Sequence, residues 1–140
     1  MDGVEVVRGG ESSSKTADSA KAAKLQERLE RLLREAADIE VELSRADGTI
    51  KGVPHYSLIE GRAHALGKQL SREVQKQQMR ELNASQATTA KCPECGTRCA
   101  LRSQARAVKS VDGPTDVQEL VGHCPRCRRS FFPDARDLGL

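Results

Sequence analysis

Over residues 20–46 apolar side chains return at alternating steps of three and four: Ala22, Leu25, Leu29, Leu32, Ala36, Ile39 and Leu43. That spacing keeps one side of an α-helix apolar and matches the a and d positions of a heptad repeat. Glu27 with Arg31, and Glu30 with Arg34, are i, i+4 pairs in the favourable order and add a little to the helix. Asp47-Gly48 supplies a stop, and Gly52-Val53-Pro54 keeps a new helix from starting at once. A second stripe, Ile59, Ala63, Leu66, Leu70 and Val74, predicts another long helix from Pro54 or Ser57 to Asn83, with Ser57 and Glu60 at capping-box spacing. The two stripes predict an antiparallel helical hairpin over residues 20–83. The first stripe fits equally a helix packed on its own chain and a coiled coil that pairs two chains.

Beyond the helices the period shortens. Residues 84–91 are small and polar and read as a linker. Short alternating runs at 98–102, 104–111 and 117–121 predict three strands, with a turn at Asp112-Gly113-Pro114. At the other end, residues 1–19 are rich in Gly, Ser and charge and read as a flexible tail, since they bury too little apolar surface to offset the entropy of ordering. The fold expected is α+β: a helical hairpin or coiled coil at 20–83, then a small module of short strands at 92–140.

Composition changes the picture in one respect. Only Tyr56, Phe131 and Phe132 are aromatic and there is no Trp, so no segment can build a large core. A module this small and this poor in apolar bulk needs a staple. Cysteine supplies it. Cys92-Pro93-Glu94-Cys95-Gly96 and Cys124-Pro125-Arg126-Cys127 are two Cys-x-x-Cys pairs whose four thiolates can converge on one tetrahedral ion. Zinc prefers such a soft four-sulfur cage, and the spacing is that of a zinc ribbon. Gly96 lets the first turn reverse; Arg128 stands in the matching place of the second, which is therefore the less ideal turn. Cys99 lies outside both pairs and reads as an inert strand residue. His55, His64 and His123 are not needed as ligands, and His123 is awkwardly adjacent to Cys124.

Charge is distributed unevenly. Residues 1–50 hold 8 basic and 11 acidic side chains, residues 51–90 hold 6 and 3, and residues 91–140 hold 9 and 6. The basic excess toward the rear permits a polyanionic partner. Arg62, Lys68, Arg72, Lys76 and Arg80 make the second helix basic, which a merely solvated face also explains. Within the strand module Arg98, Arg102, Arg106, Arg126, Arg128 and Arg129 are the candidate nucleic-acid-binding residues. The last three lie just before Phe131-Phe132, and arginines beside aromatics can contact phosphates and bases. The competing reading makes at least one of those rings part of the module's scarce core.

The run Gly113-Pro114, Val117, Cys124-Pro125-Arg126-Cys127, Phe131-Phe132-Pro133-Asp134 and Leu138-Gly139-Leu140 resembles the N-terminal zinc-ribbon region of bacterial insertion-sequence transposases. The resemblance covers residues 91–140 well and the helices loosely. The family tends to carry aromatics where this chain has Gly122-His123. What it implies is a DNA-associated module without transposition chemistry, because the family's catalytic carboxylates lie past the matching stretch; an accessory or truncated transposon protein fits that.

Three function classes follow. The first is a non-enzymatic module with one structural zinc that binds nucleic acid, with DNA as partner. The second is an oligomerisation or adaptor protein, homodimeric through residues 20–45. The third is a rubredoxin-like electron carrier, which lacks its usual aromatic packing here. Neither Cys-x-x-Cys opens a helix after a strand, and no catalytic Ser/His/Asp set, phosphate loop or useful carboxylate pair is present, so neither an enzyme nor a small-molecule substrate is expected. No apolar run is long enough to span a membrane, and the first residues lack a signal-peptide pattern, which leads to the expectation of a cytoplasmic protein with reduced cysteines.

Overall fold

The computed structural model describes residues 11–140, with side-chain detail from residue 13. It has the expected α+β composition: two long helices followed by a small antiparallel sheet. The chain divides into two compact units, Met1–His55 and Tyr56–Leu140.

The first unit is dominated by helix α1 (Glu11–Ala46). It starts earlier than the sequence suggests. Residues 11–19 belong to the helix, a correction to the expected tail; residues 1–10 of that tail lie outside the described residues. Once the Leu-rich segment has nucleated a helix, each added residue gains a hydrogen bond at little further cost, so a Ser-rich stretch can be carried along. The helix ends where Asp47-Gly48 was expected to end it. The Asp47 N–H donates to the Leu43 carbonyl at 2.9 Å, Gly48 takes φ 77°, and the Asp47 carboxylate caps the Thr49 N–H at 2.9 Å.

In the second unit, helix α2 (Tyr56–Ser85) leads into strands β1 (Thr89–Lys91), β2 (Arg98–Ser110), β3 (Gly113–Cys124) and β4 (Arg129–Phe131), and then a one-turn helix α3 (Ala135–Leu138). The strands pair antiparallel in sequential order. Two strands differ from expectation. The supposed linker 84–91 ends in β1, held to β2 by pairs such as Ala90 with Cys99. The runs 98–102 and 104–111 merge into one strand, since Ser103 pairs with Leu120 and the register continues unbroken. Together β2 and β3 form a long hairpin whose turn is Val111-Asp112, closed by Gly113 at φ 107°.

The hairpin changes its buried face along its length. Thr115, Val117, Glu119 and Val121 are buried on one side of β3, while Gly122 and Cys124 are buried with the opposite parity. Helix α2 packs against β3. Ser71 donates to the Asp112 carboxylate at 2.5 Å, Arg72 to the Asp112 carbonyl at 3.0 Å, and the Asn83 amide to the Gln118 carbonyl at 2.8 Å. The half-buried positions of α2 over this stretch are Ser71, Arg72, Gln75, Lys76, Met79, Leu82 and Asn83, a row one helical face wide. The stripe Ile59, Leu70 and Val74 stays exposed.

Candidate metal centre

The sheet's register explains how the two cysteine pairs meet. Lys91 pairs with Arg98, so Cys92 and Cys95 form the turn between β1 and β2. Cys124 pairs with Arg129, so Cys124 and Cys127 form the turn between β3 and β4. Because β2 and β3 run antiparallel, the start of one lies beside the end of the other. Both turns therefore sit at the same end of the hairpin, and the long spacer between the pairs is the hairpin itself.

The knuckles have matching backbones. The Gly96 N–H donates to the Cys92 carbonyl at 2.9 Å and the Arg128 N–H to the Cys124 carbonyl at 2.8 Å. Gly96 has φ 73°, and Arg128 adopts the same left-handed region at φ 55°. It is the single non-glycine residue with positive φ among the described residues, so the second turn is built like the first at a conformational cost.

The four sulfurs of Cys92, Cys95, Cys124 and Cys127 lie within 4.8 Å of one another. Cys92 Sγ is 3.9 Å from Cys127 Sγ, and Cys95 Sγ is 3.5 Å from Cys124 Sγ. A tetrahedron of sulfurs each ~2.3 Å from a central ion has edges of about 3.8 Å. The donor set thus has the size and the softness to hold one metal ion. Cys92 and Cys124 are buried; Cys95 and Cys127 are half-buried.

Hydrogen bonds differentiate the thiols. Thr97, through its hydroxyl and then its backbone, pulls Cys95 down to about 6. The backbone N–H of Cys127, 3.4 Å from Cys124 Sγ, holds Cys124 below the usual thiol range. Hydrogen bonding to Cys95, with burial adding to it, pushes Cys127 up to about 12. Cys95 therefore favours the thiolate near neutral pH, while Cys127 retains its proton. A cation seated among them would displace that proton, so its binding weakens as pH falls.

Cys99 lies outside the group of four. Its thiol is 3 % exposed, donates to the Thr97 carbonyl at 3.3 Å and is pushed up by burial. It packs beside Cys92 and Cys124 without joining the group of four. His123 is exposed with its ring 3.3 Å from the Ser130 hydroxyl, outside that group. The two Phe rings divide: Phe131 packs against the cysteines while Phe132 stays exposed. Phe131 lies directly on Gly122, where a Cβ would come within 2.7 Å of its Cε1. The missing side chain of Gly122 is what makes room for this ring.

The six arginines are in different circumstances. Arg106 pairs with Glu119 at 3.0 Å, a carboxylate that is only 7 % exposed. Arg129 pairs with Glu94 at 3.3 Å on the surface, bridging the two knuckles. Arg98 donates to the Thr89 hydroxyl at 2.9 Å. Arg98 and Arg102 are exposed on one side of β2, and with His123 and Pro125 they line an open groove of about 390 Å³ beside the second knuckle. Arg126 and Arg128 are exposed on that knuckle. Sequence reasoning missed the Glu119 pair, since nothing in the spacing ties Arg106 to a residue on the next strand. It also missed His123 as a groove residue.

Among the described residues no helix is long and apolar enough to cross a membrane. A scan against protein-family models found no match, and neither did comparisons with curated proteins and with solved structures.

Proposed function

We propose that the protein is a non-enzymatic zinc-ribbon module that binds nucleic acid. The observation that carries this reading is the convergence of four thiol sulfurs, two from each knuckle, at tetrahedral spacing. Four thiolates favour zinc and leave it no open position, so the ion holds the fold rather than activating water. It contributes on the order of 10 kcal/mol or more to folding a small module. A thiolate centre of this kind suits a reducing compartment, and the cytoplasm is the natural one.

The nucleic-acid side of the reading is supported by Arg98 and Arg102 along the groove and by Arg126 and Arg128 on the knuckle. All four are exposed and, among the described residues, no carboxylate pairs with them, so their charges are open to phosphates. Arg106 and Arg129 are assigned to their carboxylates instead. The motif run ending in Leu138-Gly139-Leu140 supports a narrower version, in which the nucleic acid is transposon-end DNA.

Titrating the zinc-loaded full chain into a labelled duplex of random sequence at several salt concentrations tests the reading. Affinity should fall linearly on logarithmic axes with a slope of about −3 to −4, and Arg102→Ala should flatten that slope by about one unit. Binding that ignores salt, or no binding at ~50 mM salt, would remove nucleic acid as the partner. A terminal-repeat duplex bound no better than the random one would remove the transposon version alone.

A further inference from the structure

Helix α1 carries an apolar stripe that no other described residue of its unit covers: Leu25, Leu29 and Leu32 are 46 to 53 % exposed, and Ile39 is 57 % exposed. Its charges are graded along the axis. Residues 13–34 hold Lys15, Lys21, Lys24, Arg28, Arg31 and Arg34 against Asp18, Glu27 and Glu30, while residues 35–46 hold Glu35, Asp38, Glu40 and Glu42 against Arg45. We propose that this face binds the same face of a second copy of the chain, with the two helices antiparallel and Leu29 of each opposite Leu32 of the other. The proposal stands independently of the metal centre and of nucleic acid.

Two independent features select the direction. The first is charge at the positions flanking the stripe, which set orientation in paired helices. In the antiparallel register Arg28 faces the partner's Glu35 and Lys21 faces the partner's Glu42. Symmetry repeats both pairs, giving four attractions. A parallel, in-register pair instead sets Glu35 against the partner's Glu40, two like charges at low separation.

The second feature is volume. The stripe contains two alanines, Ala22 and Ala36. In parallel register each would meet its own copy and leave thin, poorly filled layers. In the antiparallel register Ala22 meets the partner's Ile39, Ala36 meets the partner's Leu25, and the two central layers are Leu29 on Leu32. Every small residue has a large one opposite. Leu43 falls beyond this overlap, opposite the partner's Asp18, and marks its end. A face that met helices of arbitrary sequence would have no reason to be complementary to its own reversed copy in both charge and size.

Sedimentation equilibrium of the zinc-loaded full chain tests the proposal through charge reversals at exposed positions, which leave the helix intact. The wild type should be a dimer. Arg28→Glu and Glu35→Arg should each weaken it about tenfold, by turning two attractions into repulsions. An equimolar mixture of the two variants should regain wild-type strength, because each then supplies the opposite charge to the other. A wild type that stays monomeric up to ~100 µM would overturn the proposal and leave the stripe to its own chain's second helix or to another protein. A Glu35→Arg variant that dimerises more tightly would overturn it in favour of the parallel pair, and a mixture no tighter than the single variants would overturn the register.

Discussion

Arg128 and Gly122 are the residues at which the metal end of the sheet is most sharply constrained. Arg128 occupies a left-handed conformation that its Cβ opposes, in the position where the other knuckle has Gly96. Arg128→Gly should therefore raise the unfolding free energy of the metal-loaded protein by about 1 kcal/mol, measured by chemical denaturation, while weakening any nucleic-acid contact its guanidinium makes. Gly122 is the reverse case. Adding a methyl there drives into the Phe131 ring that packs on the cysteines, so Gly122→Ala should cost about 1–3 kcal/mol in the same assay. Both constraints are only half legible in the sequence. The mismatch between Gly96 and Arg128 is visible by aligning the two knuckles. Gly122 gives no such signal, because its partner lies across a strand pairing that must first be known.

The elements themselves were largely readable where a period was long and clean. The heptad spacing gives α1 and the second stripe gives α2, but α2 meets the sheet through the row Ser71, Gln75 and Met79 rather than through Ile59, Leu70 and Val74. That row is mostly polar, and hydrogen bonds to Asp112 and Gln118 hold it, an arrangement hydrophobic periodicity cannot reveal. The strands were shortened for a related reason. Polar residues such as Ser103 and Gln104 interrupt the apolar alternation exactly where the hairpin exchanges one buried face for the other. On the α2 side of that exchange lies Glu119, buried and paired with Arg106. Arg106→Ala should leave metal content unchanged yet destabilise the hairpin by about 1–3 kcal/mol in thermal or chemical unfolding, less than a fully buried pair would cost because a third of Arg106 remains in solvent.

At the scale of the whole molecule, the proposed function has four cysteines and one ion do what a hydrophobic core does elsewhere. The largest fully buried side chains are Val121 and Cys124, with Cys92, Cys99 and Val117 also buried, which is little to hold a sheet of this length. The grouping of the four cysteines was legible because two Cys-x-x-Cys pairs imply it, and the sheet register supplies the reason the pairs meet. Elemental analysis with native mass, on full-length protein purified without added metal, tests this most directly when wild type, Cys99→Ser and Cys124→Ser are compared. One zinc per chain is expected in the wild type and in Cys99→Ser, where a hydroxyl can still donate to the Thr97 carbonyl, and none in Cys124→Ser, whose sheet should unfold. A wild-type protein that is folded without metal, or a Cys99→Ser variant that loses it, would contradict the account.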